Sequence, residues 1–421
     1  LSEYILKKKK IQVKTSYIKE NLFVFIRCLV SDPSFNSQVK EFLTTPISKF
    51  GSKCELDDKF IDKIAKLGLM DLAINLSAFK ENKDLKKTDG KKKTTLRGIP
   101  KLDDANFAGG PKSHECTLIL TEGDSAKSLA ISGLSIIGRD KYSVFPLKGK
   151  VLNVKGDDKN MSKKILENTE ITNLKKIIGL QADKKYKDTS ELRYGSVMLL
   201  TDQDEDGSHI KGLLFNLFQT LWPELFRMEY FTKSMLTPLV KVTNNKSKKV
   251  SSFYNVSDYE SWKDENNNGK GFNIKYYKGL GTSTPKEAKD YFRDLRIINY
   301  VFEQEKSDHA IELAFNKKLA DSRKEWLATY DRNCVLDYTD MNVSHSDFID
   351  KDLKHFSNSD NRRSIPSMID GLKVSQRKIM YCAFKKKLHS EIRVAQFSGY
   401  VSENGGYHHG EASLQGAIVN M

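Results

Sequence analysis

Runs of apolar residues change their spacing along the chain, and the predicted elements follow from those changes. Leu22 to Val30 is an apolar run interrupted by Arg27, which reads as a buried strand or helix, and a turn at Asp32-Pro33 and the polar stretch Ser37 to Glu41 follow it. Between Asp57 and Phe79 apolar residues recur at Phe60, Ile61, Ile64, Leu67 and Leu72, which predicts helices. The lysine-rich stretch Lys80 to Thr95 then reads as a linker and Arg97 to Gly110 as a loop rich in Gly and Asp. Beyond it, short apolar runs alternate with helical stripes: strand Thr117 to Thr121, helix Ser125 to Leu134, strand Val197 to Leu200, and helix His209 to Phe226. In that last helix Ile210, Leu213, Leu214, Leu217 and Leu221 share one face, and His209 reads as a polar cap. This alternation predicts a parallel α/β unit. Thr284-Pro-Lys-Glu287, after the Gly-rich Lys278-Gly-Leu-Gly-Thr282, has an N-cap, a proline at the first helical position and a capping-box glutamate. A helical block from Asp308 to Tyr330 leads through an irregular stretch to Asn361-Arg-Arg-Ser-Ile-Pro366, a turn at Asp370-Gly371 and a short helix from about Ser375. Leu414, Ala417 and Ile418 form a last helical stripe.

With 421 residues, 38% apolar and 30% charged, the chain reads as a soluble globular protein of two to four units. Its formal charge of +15, with clusters at Lys7 to Lys10, Lys91 to Lys93 and Lys385 to Lys387, favours a polyanionic partner, although solvated lysine-rich loops explain each cluster singly. The five cysteines are scattered and form no CxxC pair, so a disulfide framework and a zinc ribbon are both unsupported and a reducing compartment is expected. The run Leu22 to Val30 is far too short to span a bilayer, and no membrane segment is expected. The chain opens on Leu1 and its last apolar stripe stops at Met421, so both ends read as cut, and a missing targeting signal carries no meaning.

The candidate chemistry sits at two strand ends. Glu122, in Leu118-Ile-Leu-Thr-Glu-Gly-Asp-Ser-Ala126, and the cluster Asp202-Gln-Asp-Glu-Asp-Gly207 each follow an apolar run that reads as a buried strand. Four carboxylates between Asp202 and Asp206 repel one another unless a cation or raised pKa values relieve the crowding, and magnesium is the natural cation. An EF-hand loop would need Glu at its twelfth position, which here is Leu213, and a helix where a strand precedes. In an open parallel sheet, Glu122 and the aspartates would instead converge on one crevice. A paired metal site would use Glu122, Asp202 and Asp204 as ligands, with Asp206 either a further ligand or an orienting acceptor. Arg362, Arg363, Lys373, Arg377 and Lys378 gather around the Pro366 and Gly371 turns at a density suited to a phosphate backbone, with a solvated helix face as the bland alternative. His408-His409 suits a phosphate hydrogen bond as well as a metal. Nothing matches a P-loop, HExxH, a Rossmann fingerprint or a kinase catalytic loop.

Taken together, Glu122-Gly-Asp-Ser-Ala126 and Asp202-x-Asp204-x-Asp206 resemble the Toprim signature of topoisomerases, primases and some nucleases. Gly98-Ile-Pro-Lys-Leu-Asp-Asp-Ala-Asn106, Pro146-Leu-Lys-Gly-Lys150, Tyr276-Tyr-Lys-Gly-Leu-Gly-Thr-Ser283, Ile365-Pro-Ser-Met-Ile-Asp-Gly-Leu-Lys373 and Tyr407-His-His-Gly-Glu411 resemble eukaryotic-type DNA topoisomerase II, essentially end to end. The resemblance implies a multidomain α/β protein: a Rossmann-like parallel Toprim sheet, preceded by the end of an α/β transducer domain and followed by the start of a winged-helix domain. The implied partition is residues 1–51 transducer, 52–115 helical connector and linker, 116–235 Toprim, 236–330 a Toprim-associated extension, and 331–421 winged helix.

The same resemblance assigns Glu122, Asp202, Asp204 and Asp206 to two Mg2+ ions. It assigns Arg363, Lys373 and His409 to contacts near the scissile phosphate, Arg363 and His409 as catalytic residues, and Lys148, Lys150, Lys278, Arg377 and His408 to further DNA contacts. Ser37-Gln-Val-Lys40 resembles the loop whose lysine reaches ATP, here Lys40, with Val39 where Thr is usual. Lys148 stands where Arg is commoner, which keeps the charge and loses bidentate geometry, and Phe107 stands where Asp is frequent. The family works on double-stranded DNA as an ATP-dependent nuclear homodimer, and its attacking tyrosine is expected downstream of Met421. A Toprim nuclease or primase would leave Ile365 to Lys373 and Tyr407 to Glu411 without a purpose. A DNA-binding scaffold would give no reason to crowd carboxylates at two strand ends.

Overall fold

The computed structural model describes residues 1–421 except 12, 52, 54, 157–160, 278, 408 and 409, and the backbone alone at 78 and 82. The chain forms two compact units, Leu1–Asp89 with Asp157–Glu167, and Gly90–Gly156 with Asn168–Met421.

The first unit is helical. Ser2–Lys9, Thr15–Lys19, Asp58–Ile64 and Met70–Lys86 surround a small core of Ile5, Val13, Ile18, Leu69 and Ala73. Asp57 caps Asp58–Ile64 through the Phe60 N–H at 2.8 Å, and Gly68, with φ +82°, bends the chain between that helix and the next. Two expectations fail here. Residues 22–30 adopt no regular element, and Phe23, Val24, Phe25, Ile26 and Leu29 are exposed, because a strand of this kind needs a paired neighbour and none stands beside it among the described residues. The helices expected between Asp57 and Phe79 do form, with Phe60, Leu67 and Leu72 facing outward and the core taken from other positions. Met70–Lys86 runs well into the expected linker, helped by the Lys80–Glu20 ion pair at 3.2 Å and favourable basic residues in its last turn.

The second unit is built on strands β1 (Thr117–Thr121), β2 (Tyr142–Pro146), β3 (Ser196–Leu200), β4 (Thr232–Met235), β5 (Val240–Asn244), β6 (Val250–Phe253), β7 (Phe272–Tyr276), β8 (Ile297–Val301) and β9 (Asn342–Ser344). Six form a sheet ordered β2-β1-β3-β4-β8-β9, parallel except where β8 runs against β4. The remaining three form an antiparallel sheet ordered β6-β5-β7. Every residue of β1 and β3 is buried, which is why both read as unbroken apolar runs: Ile119, Met198 and Leu200 pack with Leu129, Ala130, Leu134 and Phe292, while their alternating neighbours face the other side. On helix Glu205–Leu221, Phe215 meets the rings of Tyr300, His345 and Phe348.

The helix after the aspartates starts at Glu205, four residues before the expected His209, because Asp204 is its cap; His209 is a half-buried member of the second turn. The Thr284 capping box forms as the sequence predicts. The stretch between Tyr330 and Asn361, expected to be irregular, is helical from His345 onward, and Arg362 and Arg363 lie in the last turn of helix Lys354–Ser364. The helices Val374–Lys385, Val394–Asn404 and Glu411–Val419 close a separate small core of Ile379, Cys382, Phe397, Val401, Tyr407 and Leu414. Among the described residues no helix is long and apolar enough to cross a membrane.

Candidate active site

The parallel neighbours β1 and β3 pair Thr121 with Leu200, while β2 lies beyond β1 and β4 beyond β3. The order of the strands therefore reverses between β1 and β3, and ligands of open α/β sheets bind outside the carboxyl ends at such a point. Glu122 and Asp202 leave the two strands there together, and the Asp202 N–H donates to the Glu122 carboxylate at 3.3 Å. Burial pushes the Glu122 carboxyl up to about 7, and the charges of Asp202, Asp204 and Asp206 add to the rise. Burial also raises Asp202, against a hydrogen bond from the Leu280 N–H at 2.7 Å.

The other two acids are engaged. Asp204 accepts the Gly207 N–H at 2.8 Å as the helix cap. Asp206, in the first helical turn, accepts both terminal nitrogens of Arg363 at 2.9 and 2.7 Å and the Lys150 ammonium at 2.7 Å. Arg363, more than Lys150, holds the Asp206 carboxyl well below the usual carboxylate range. The Arg363 Nε donates to Asp360 at 3.0 Å. Both cations also share one ring: Lys150 stands 4.7 Å and Arg363 5.6 Å from the centre of Phe356, against which His209 stacks at 3.9 Å. Burial lowers the His209 pKa to about 4, so at neutral pH it contributes packing and no charge. An open cavity of about 550 Å³ lies alongside, lined by Asp204, Ser208, Lys351, His355 and Arg362 among others.

Among the described residues no three His, Cys, Asp or Glu side chains stand together as a ready cation cage. The donor set is nevertheless all carboxylate oxygen, the chemistry of a hard divalent cation, and the repulsion from Asp202, Asp204 and Asp206 that adds to the burial-driven rise of Glu122 is what such a charge relieves. The residues fit the ion.

Comparison with known proteins places this crevice. Residues 117–233 match the Toprim domain, 235–361 the C-terminal associated domain of TOPRIM, 363–421 the A-type subunit of DNA gyrase/topoisomerase IV, and 2–93 DNA gyrase B. The chain is 50% identical over 418 residues to DNA topoisomerase 2 of Arabidopsis thaliana, covering 99% of this chain and 28% of that protein. It is 48% identical over 426 residues to DNA topoisomerase 2 of Saccharomyces cerevisiae, covering 100% of this chain and 30% of that one. The chain belongs to the eukaryotic DNA topoisomerase 2 family.

It spans less than a third of the length of these relatives. The topoisomerase 2 fold is also seen in the crystal structure of the Plasmodium falciparum topoisomerase II DNA-binding, cleavage and re-ligation domain, with a TM-score of 0.68 and 47% identity over 78% of this chain and 44% of that one.

Of the residues singled out from the topoisomerase II motifs, the structure gathers Glu122, Asp202, Asp204, Asp206, Lys150 and Arg363 into one place. Lys148 is exposed, with its backbone N–H on Glu170 at 3.4 Å. Lys373 is exposed, and Arg377 is held by Asp370 at 2.6 and 2.9 Å. Lys378, read as surface, is half-buried and donates to the Gly406 carbonyl at 2.6 Å. Lys40 belongs to the first unit, exposed, with its ammonium 5.8 Å from the centre of the Phe35 ring. Lys278, His408 and His409 lie outside the described residues. Sequence reasoning missed Phe356 and Leu280. No spacing signal points to Phe356, and only the glycines flanking Leu280 hint at a close approach.

Proposed function

We propose that these 421 residues are the DNA-binding and cleavage part of an ATP-dependent, double-strand-passing topoisomerase that acts as a nuclear homodimer. The reading divides the chain into the transducer end at 1–51, a connector at 52–115, Toprim at 116–235, its extension at 236–330 and the start of a winged-helix domain at 331–421. The observation that carries it is the single crevice shared by two acidic strand ends and the Arg363–Lys150 pair.

Glu122 and Asp202, with Asp204 and Asp206, hold Mg2+ in this reading. Bound there, the ion supplies positive charge to phosphoryl and leaving oxygens. Arg363, held by Asp206 and Asp360, carries a guanidinium of the shape that grips a phosphate once one of those carboxylates lets go, and Lys150 adds a point charge beside it. Lys148, Lys278, Lys373, Arg377, His408 and His409 extend the phosphate-binding surface, and Arg363 and His409 act at the scissile phosphate. Lys40 reaches ATP. No tyrosine among the 421 residues is assigned as the nucleophile.

The test is fluorescence anisotropy of a labelled duplex over a salt series with Mg2+, followed by a search for covalent protein–DNA product. The reading expects binding that weakens steeply with salt and no covalent product from this chain alone. Salt-independent binding, or a covalent adduct, would contradict it.

A further inference from the structure

We propose that the backbone at Gly279 and Leu280 sets the position of the Asp202 carboxylate, and that Gly279 is a positioning residue for cation binding in the acidic crevice. This deepens the reading of the crevice as a divalent-cation site and rests on it. Asp202 Oδ1 accepts the Leu280 N–H at 2.7 Å, so one carboxylate oxygen is tied to a loop from outside the sheet that carries the acid. That loop is not free to yield. The hydroxyl of Thr282 donates to the Gly279 carbonyl at 2.6 Å. On either side of the loop, the Glu287 carboxylate takes the Lys275 ammonium at 2.8 Å on both oxygens, the Tyr277 hydroxyl at 2.5 Å and the Thr284 N–H at 2.7 Å. Segments before and after the loop are thus fastened to one carboxylate, itself fixed as the capping-box residue of helix Pro285–Arg293.

Gly279 is needed for space. Its backbone is extended, at φ 178° and ψ 172°, a conformation open to any residue. A Cβ built there would lie 2.9 Å from Cγ of Asp202 and closer still to its Oδ2. Two residues on, Gly281 has room: its nearest neighbour would be Ser125 Cβ at 3.8 Å. The two glycines of one short motif therefore differ, one bare against the acid and one with room for a methyl group. Because the atoms met at Gly279 are the end of a side chain, an alanine displaces the carboxylate and leaves the loop folded. Asp202 then loses its place beside Glu122, and with it the spacing of the two acids that a cation would bridge.

The experiment is Mn2+ binding to the 421-residue chain, followed by the electron paramagnetic resonance of the free ion, together with thermal unfolding. Gly279→Ala is expected to weaken Mn2+ binding about tenfold, the usual scale for losing a group that orients a ligand, with little change in Tm. Gly281→Ala is expected to bind as the wild type does. In an Asp202→Ala background, Gly279→Ala is expected to add nothing, since the group it acts through is gone. Wild-type affinity in Gly279→Ala, equal losses in both glycine variants, or full additivity with Asp202→Ala would each overturn the proposal. Absence of any saturable Mn2+ site in the wild-type chain would remove the cation reading itself, and the proposal with it.

Discussion

Replacing Glu122 by Gln should make the protein more stable at alkaline pH. The Glu122 carboxyl is raised from 4.5 to about 7, by burial first and by Asp202, Asp204 and Asp206 after it. A rise of that size corresponds to about 3 kcal/mol. The residue is only partly buried, so screening leaves roughly half, about 1–2 kcal/mol. The sign follows from proton counting. Between the unfolded value near 4.5 and the folded value near 7 the native protein binds the extra proton, so stability falls as pH rises through that window. Gln keeps the shape, and its amide oxygen can accept the Asp202 N–H, but it carries no charge. In urea denaturation Glu122→Gln should therefore exceed the wild type by about 1–2 kcal/mol at pH 8, with the gain fading toward pH 4. Saturating Mg2+ should raise the wild type and leave the variant nearly unmoved. A variant no more stable than wild type at pH 8, or a gain independent of pH, would refute the electrostatic argument.

Asp206→Asn removes the anion under Arg363 and Lys150, whose side chains are 32% and 40% exposed and so can be solvated. The loss should be about 1–2 kcal/mol in urea denaturation at pH 7, below that of a fully buried pair. Because the folded Asp206 pKa is depressed, that difference should be present above pH 4 and shrink as pH falls below it. Lys150→Ala should lower the slope of log affinity for duplex DNA against log salt by about one, without altering sequence preference. Arg193 is buried, paired with Asp104 and donating to the Lys93 and Ile177 carbonyls at 2.6 and 2.9 Å, so Arg193→Met should cost about 3–5 kcal/mol, read from the urea midpoint.

The parallel sheet and the acidic crevice were legible because buried strands leave unbroken apolar runs, and because carboxylates at two strand ends have few structural uses. The capping box at Thr284 was legible for a related reason: its chemistry is local and occupies four consecutive residues. What escaped was set by tertiary contact. Sequence alone leaves Asp206 as either a further ligand or an orienting acceptor, because its partners Lys150 and Arg363 come from 56 and 157 residues away. His209 looked like a cap because the apolar stripe starts beside it, whereas Asp204 took that role and His209 stacked on Phe356. The run 22–30 shows the limit of periodicity: an apolar stretch states what a segment could bury, and the fold decides whether anything is there to cover it.

The most direct test of the central claim is calorimetric titration of Mg2+ into the 421-residue chain bound to a short DNA duplex, at constant ionic strength, for the wild type and Glu122→Ala. The account predicts saturable Mg2+ uptake that Glu122→Ala abolishes while duplex binding persists through Arg363, Lys150 and the other basic residues. Equal uptake by the two proteins, or none by the wild type, would contradict it.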